Sequence, residues 1–176
     1  MTNRTWTAIL AVDPGLHFTG IAALVENSGS WEEHAWVVEP HGSYERTAQE
    51  VYARFLVVKD RLRAIHPASC VAQEDVRLAV EEASLWGPGG RTARGAIVNR
   101  ALAAYVTGWL EGRGIGPVVS VSPAKWKRGI PKAVTRARHS GAVIDGNPRG
   151  RQDAIDALGL AWWCVRAGLD IPHSKG

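Results

Sequence analysis

Three strand-like segments stand in direct succession at the start of the chain, before any helix. The first, residues 7–12, is apolar throughout and stops at the turn Asp13-Pro14-Gly15. The second and third, residues 19–26 and 31–39, are separated by the turn 27–30. Short turns between neighbouring strands make hairpins, so the sequence predicts an antiparallel, three-stranded start.

Helices and strands alternate through the rest of the chain. A helix over 44–65, capped by Ser43, carries apolar residues at three- and four-residue spacing. We expect a strand over 76–83, a helix over 92–111, a strand over 117–121, a helical turn over 122–126 and a helix over 152–167. This order predicts an α/β fold with a mixed five-stranded sheet flanked by helices. The 176 residues fit one domain, residues 1–176, whose tail from about 170 onward frays.

Composition narrows the setting of the protein. A net charge of +4 favours polyanionic partners, although charge alone is a weak signal. The two cysteines, Cys70 and Cys164, form no CxxC pair, so we expect buried thiols rather than a zinc site or a disulfide. No apolar run reaches the length of a membrane span, and no secretory leader follows Met1, so we expect a cytoplasmic protein.

Three acidic clusters are candidates for a functional site, and each has a simpler explanation when taken alone. Asp13 ends the first apolar strand, where Asp also suits a turn. Glu81 and Glu82 lie in an apolar strand and point to opposite sheet faces, and either could reach solvent at a strand end. Asp153 and Asp156 share one helix face, where the helix dipole also favours acids.

Taken together, the clusters indicate a cation site. If the first and fourth strands are neighbours and the last helix packs over them, four carboxylates converge. Like charges at that distance repel unless a cation lies between them. Carboxylate oxygens suit Mg²⁺, and Mn²⁺ would substitute; two such ions about 4 Å apart activate water and stabilise the leaving oxygen of a phosphodiester.

Four motifs, in this order, resemble the RuvC-type Holliday junction resolvases. They are Val12-Asp13-Pro14-Gly15 with Thr19-Gly20, then Ala79-Val80-Glu81-Glu82, then Val121-Ser122-Pro123 through Trp126-Lys127, and finally the helix that starts at Asp153 and continues to Ala161. The resemblance covers nearly the whole chain. It implies a ribonuclease H-like fold and a homodimer that cuts four-way DNA junctions by paired nicks with Mg²⁺.

The resemblance also assigns residues to roles. It makes Asp13, Glu81, Asp153 and Asp156 the metal ligands, with Glu81 preferred over Glu82 because it takes the place of the family's glutamate. Lys127 and Lys132 match basic positions near the family's active site and are further catalytic candidates. Trp126 departs from the pattern, because many members carry a smaller apolar residue there. The basic loop 127–132 is also shorter than the family's. The pairs Trp126-Lys127 and Pro131-Lys132 resemble bacteriophage-encoded relatives, so flap or other branched DNA stays open as the substrate.

Basic residues are concentrated next to the proposed carboxylates. Eight lysines and arginines lie between positions 125 and 151, a stretch in which Asp145 is acidic. DNA phosphates are the natural partner of such a stretch, although a solvated loop would look the same. The candidate DNA-binding residues are Lys125, Lys127, Arg128, Lys132, Arg136 and Arg138, with Arg91 and Arg94 on the second helix.

Several alternatives stay open at this point. A related nuclease acting on flaps or RNA–DNA hybrids would carry the same acids, and a branched-DNA-binding protein without activity would carry the same basic stretch. Actin-like ATPases share a related strand turn, but they need two such domains. Trp86 beside a glycine-rich loop could wedge into a junction, although packing explains it as well. The second helix, with Ala101, Ala103, Ala104 and Val106, could equally pack a partner subunit or the core.

Overall fold

The structure is a computed structural model that describes residues 7–15, 17–39, 43–66, 76–82, 94–127, 139 and 141–167. The elements, in chain order, are β1 (Ala8–Asp13), β2 (Thr19–Asn27), β3 (Ser30–Val38), α1 (Tyr44–Ile65), β4 (Val76–Glu81), α2 (Arg94–Glu111), β5 (Val118–Val121), α3 (Pro123–Trp126), β6 (Ile144–Asp145) and α4 (Arg151–Ala167). A single 3-10 turn, Pro148–Gly150, leads into α4. The predicted tail lies outside the described residues.

The strands form one mixed sheet in the order β5-β4-β1-β2-β3-β6. The pairs β1–β2 and β2–β3 are antiparallel, which confirms the predicted double hairpin. The strands β4 and β5 run parallel to β1 on its other side. The described sheet has six strands rather than the predicted five, because Ile144 and Asp145 pair with β3. A strand of two residues is too short to show a hydrophobic periodicity, so it could not be predicted from the sequence.

The central strand β1 is apolar on both sides because both faces of the sheet are covered. Leu10 and Val12 face a core built with α1 and α2, whereas Ile9 and Ala11 face a second core built with α4. All four side chains are at most 2% exposed. The alternation fixes which strand residues reach the α4 face, and Asp13 continues the row of Ile9 and Ala11.

The helix α1 begins where the sequence predicts. The Ser43 hydroxyl accepts a hydrogen bond from the Arg46 amide, which satisfies one free donor of the first turn. The apolar residues Val51, Phe55 and Leu62 are buried against the sheet. On α2 the small and apolar residues divide between core and surface: Ala103 and Val106 are buried, whereas Ala101 and Ala104 are exposed. Ala103 and Val106 therefore serve the core and cannot pack a partner subunit.

The helix α4 packs unusually close to the sheet near its start. A Cβ atom on Gly20 of β2 would overlap the Asp153 carbonyl group of α4. Glycine at position 20 thus lets the first turn of α4 lie directly on the strand that pairs with β1. Farther along α4, Leu158, Leu160 and Cys164 are fully buried.

Two expectations about composition can be compared with the described residues. Cys164 is a buried free thiol, and burial raises its pKa to about 12, so it is an inert core residue. Cys70 lies outside the described residues. None of the described helices has the length and apolar character needed to cross a bilayer.

Candidate active site

Two acidic side chains end neighbouring strands at the same edge of the sheet. Val12 of β1 pairs with Val80 of the parallel strand β4, so Asp13 and Glu81 follow side by side. Both continue the rows of small residues, Ala11 and Ala79, that face α4. Glu81 is 7% exposed and Asp13 is half-buried. Adjacent strands lie about 4.8 Å apart, so these two carboxylates are neighbours in the fold.

A short helical turn brings two further residues to Glu81. The strand β5 pairs with β4 up to Glu81 and Val121, and Ser122 then caps α3 by accepting a hydrogen bond from the Ala124 amide. The turn ends with Trp126 and Lys127. The Trp126 indole Nε1 donates to Glu81 Oε2 at 2.8 Å, and Lys127 Nζ donates to Glu81 Oε1 at 2.9 Å.

The helix α4 supplies the acids on the other side of Lys127. Asp156 is 3% exposed, and its Oδ2 atom lies 3.7 Å from Lys127 Nζ. Its Oδ1 atom accepts a hydrogen bond from the side-chain amide, Nε2, of Gln152 one turn earlier. Asp153 is half-buried in the first turn of α4 and acts electrostatically on Asp13. The close contact at Gly20, which pairs with Asp13, holds that first turn beside β1.

The electrostatics of the site follow from its burial and its excess of acids. Burial raises the pKa of Asp13 well above its ordinary value, and Glu81, Asp156 and Asp153 raise it further, against the opposing effect of Lys127. Burial alone would lower the pKa of Lys127, but Glu81, Asp13 and Asp156 outweigh it and raise that pKa. Lys127 is therefore charged at neutral pH.

The two adjacent glutamates at the end of β4, Glu81 within the strand and Glu82 just after it, have different surroundings. Glu81 faces α4 and the other acids, whereas the side chain of Glu82 pairs with Arg100 Nη2 of α2 at 2.8 Å. This division is the strand alternation that the sequence predicts. Glu82 thus connects the end of β4 to α2 through its ion pair with Arg100.

The donor set of the site suits a hard divalent cation. Asp13, Glu81, Asp153 and Asp156 offer only carboxylate oxygens, the ligands that Mg²⁺ and Mn²⁺ prefer. Among the residues that the structure describes, no three acidic, histidine or cysteine side chains form a ready-made metal cage. Instead the Lys127 ammonium lies between Glu81 and Asp156. Cation chemistry fits the residues, and their role as metal ligands stays a prediction.

The predicted DNA-binding residues lie mostly outside the part of the chain that the structure describes. Lys125 is exposed on α3, and the Lys127 ammonium lies against Glu81 and Asp156. For Arg94 the structure describes the backbone at the start of α2 and no more. The residues outside the described ranges are Arg91, Arg128, Lys132, Arg136 and Arg138, and the proposed wedge Trp86 is outside them as well.

Two site residues were not identified from the sequence as partners of the acids. Trp126 stood out only as a departure from the family pattern, and Gln152 gave no signal beyond its place four residues before Asp156. Side chains four apart on a helix are neighbours, so the Gln152–Asp156 contact could have been found that way. The Trp126–Glu81 contact joins residues 45 positions apart and depends on the fold.

The order and pairing of the strands and the helices on both faces of the sheet give the chain an α/β, ribonuclease H-like fold. Solved structures with this fold match the chain along most of its length. RuvC from Thermus thermophilus in complex with a Holliday junction substrate matches with a TM-score of 0.53 and 20% identity, over 92% of this chain and 96% of that one. A second Thermus thermophilus RuvC structure matches with a TM-score of 0.52 and 19% identity over the same shares.

These matches establish the fold predicted from the family resemblance. At 19–20% sequence identity the likeness concerns the fold and not the activity. A scan of protein-family models gives no match, and a comparison with curated protein sequences gives none either.

Proposed function

We propose that this protein is a metal-dependent endonuclease that resolves four-way DNA junctions by paired nicks. The observation that carries the proposal is the meeting of Asp13, Glu81 and Asp156 around the Lys127 ammonium at the end of the central strand. An acidic site in a ribonuclease H-like fold, beside a basic stretch, suits hydrolysis of a DNA phosphodiester.

The acids would hold two divalent ions, Mg²⁺ or Mn²⁺, through Asp13, Glu81, Asp153 and Asp156. When bound, the ions would supply an activated water and stabilise the leaving oxygen of the phosphodiester. The raised pKa of Asp13 supports this assignment, because the buried acids repel one another and a divalent cation would relieve that repulsion. A carboxylate must be deprotonated to bind a metal, so Asp13 would hold such a cation in its charged form.

Lys127 has a second role in the proposal. Its ammonium is charged at neutral pH and carries three donors, of which Glu81 Oε1 takes one. In the proposed mechanism it would donate to a non-bridging oxygen of the scissile phosphate while it stays near the acids. Lys132 remains a further candidate for the same phosphate.

The junction preference and the homodimer rest on different support. The fold matches RuvC, including a structure solved on a Holliday junction substrate, and a two-fold symmetric dimer suits a two-fold symmetric junction. On α2 the residues Ile97, Ala101, Ala104 and Tyr105 are exposed and leave an apolar face for a second copy. Analytical ultracentrifugation of the intact chain measures the oligomeric state.

The experiment that tests the proposed function compares four substrates. A synthetic four-way junction, a flap, a linear duplex and an RNA–DNA hybrid are each incubated with Mg²⁺, Mn²⁺ or EDTA. We expect symmetric paired nicks in the junction, abolished by EDTA. Cutting of the flap or hybrid alone would assign a different nuclease substrate to the same site. No cutting of any substrate, with binding retained, would leave a branched-DNA-binding protein.

A matched pair of variants ties activity to the site. Asp156→Asn keeps the size of the side chain and its acceptor for Gln152, and it removes the charge beside Lys127. We expect loss of cleavage with junction binding retained. Asp60→Asn makes the same change on the exposed surface of α1, where Asp60 pairs with Arg63, and we expect it to cut normally. Equal activity of the two variants would contradict the assignment of Asp156.

A further inference from the structure

We propose that Trp126 is a positioning residue that fixes the Glu81 carboxylate and the Lys127 ammonium relative to each other. The inference rests on the proposed metal-dependent function of the acidic site. It concerns the one residue of the third motif that departs from the family pattern.

The contacts of Glu81 divide its two oxygens between two different donors. Oε2 accepts the Trp126 indole N–H at 2.8 Å, and Oε1 accepts the Lys127 ammonium at 2.9 Å. The neutral indole N–H therefore holds Oε2, and Oε1 is directed at the Lys127 ammonium. A carboxylate held in this way cannot rotate without breaking the bond to the indole.

The same indole also contacts Lys127. The Lys127 Nζ atom lies 4.8 Å from the centroid of the Trp126 ring, within the range of a cation–π interaction. Trp126 thus touches both partners of the Glu81–Lys127 ion pair, one through the edge of its ring and one through the face. The position of the pair follows from the position of the ring.

The ring itself is held by the core. Trp126 is 1% exposed and packs in the α4-side core with residues such as Ile9, Ala79 and Val121. The Ser122 cap and the hydrogen bond from the Lys127 amide to the Pro123 carbonyl fix the short helix that carries it. Because the core holds the Trp126 ring in place, the hydrogen bond from its indole N–H holds the Glu81 carboxylate in place as well.

Positioning of this kind matters most for a metal ligand. A ligand already oriented by a hydrogen-bond partner need not be ordered when the cation binds, and loss of such a partner typically weakens metal affinity 10–100-fold. We therefore expect Trp126 to act on the affinity for Mg²⁺ and not on the affinity for DNA.

The chain offers a matched control. The Trp162 indole Nε1 donates to Glu33 Oε1 at 2.6 Å, a bond of the same type that joins α4 to β3 outside the acidic site. Trp126→Phe and Trp162→Phe each remove one indole N–H and keep an aromatic ring. Thermal denaturation of both variants establishes that they fold.

The experiment measures Mg²⁺ binding by isothermal titration calorimetry and junction cleavage across Mg²⁺ concentrations. For Trp126→Phe we expect Mg²⁺ affinity about tenfold weaker, a matching rise in the Mg²⁺ needed for half-maximal cleavage, an unchanged KM for the junction, and recovery of kcat at high Mg²⁺. Trp162→Phe should match the wild type. If the two variants behave alike, the positioning role is wrong while the nuclease proposal stands.

Two further results also decide the matter. If the wild type neither binds Mg²⁺ nor cuts any substrate, the proposed function and this inference both fail. If Trp126→Phe does not fold, NMR of the indole N–H groups in the wild-type protein tests the inference instead. Mg²⁺ must shift the indole resonance that Glu81→Gln also shifts, and the absence of that shift overturns the inference.

Discussion

At the scale of single residues, Asp13 stores unfavourable energy in the folded protein. Its pKa is raised by burial and by Glu81, Asp156 and Asp153, so the charged form is less stable there than in water. We predict that Asp13→Asn raises the free energy of unfolding without metal by about 1 kcal/mol, a shift of roughly 2–4 °C for a chain of this size, and abolishes cleavage. Thermal denaturation in EDTA measures the gain, and a loss of stability would contradict it.

The raised pKa of Asp13 also makes the stability of the protein depend on pH. In the unfolded chain Asp13 loses its proton near its ordinary pKa of 3.8. In the folded protein its pKa is higher, so Asp13 keeps its proton to a higher pH. The folded state thus binds more protons in this window, and stability in EDTA falls as the pH rises from about 4 toward the raised pKa. The difference in unfolding free energy between wild type and Asp13→Asn isolates this effect. We expect it to grow with pH, and a constant difference would refute the prediction.

Lys127 has the opposite effect on stability. Its ammonium lies against Glu81 and Asp156, which are both nearly buried, so its removal leaves their charges facing one another. We predict that Lys127→Met lowers the free energy of unfolding in EDTA by about 2 kcal/mol, and that Mg²⁺ restores part of it. The control is Lys125→Met on the exposed side of the same turn, which should change stability little. Chemical denaturation with and without Mg²⁺ separates the two variants.

At the scale of elements, the contact between β2 and α4 sets the width of the site. A Cβ atom at position 20 would collide with main-chain atoms of Asp153 and Ala154, which no rotamer change can relieve. We predict that Gly20→Ala displaces the start of α4, costs about 2–3 kcal/mol and abolishes cleavage. Gly108→Ala is the control, because nothing lies near its added Cβ and alanine favours a helix. Denaturation and cleavage assays measure both effects.

The elements also show how far the sequence could predict the structure. Segments with a clear pattern, such as the periodic helix α1 and the strand β1, apolar up to Asp13, were predicted with nearly the observed bounds because both faces of β1 and one face of α1 are buried. The strand β6 was not predicted because its two residues become a strand only by pairing with β3, which is more than 100 positions away in the sequence. Strand alternation correctly separated the faces of Glu81 and Glu82, whereas the tertiary contact between Trp126 and Glu81 has no local signature.

At the scale of the whole molecule, charge is expected to govern DNA binding. The net charge is +4, and the lysines and arginines cluster between positions 125 and 151. We predict that junction affinity falls steeply with salt, and that Lys125→Ala lowers the slope of log K against log salt by about 1. Fluorescence anisotropy measures the slope in the Asp156→Asn background, which we expect to bind the junction without cutting it. An unchanged slope would place Lys125 outside the DNA interface.

The helix α4, which packs over β1 and β2 and supplies Asp153 and Asp156, also determines when the acidic site is complete. Asp13 belongs to the first hairpin, Glu81 follows after α1, and the acids of α4 come last in the chain. During synthesis the early strands can pair while the site still lacks half of its acids. The acidic site is therefore complete only after α4 has been synthesised and has packed on β1 and β2, so a chain that stops before α4 has the first strands but lacks Asp153 and Asp156.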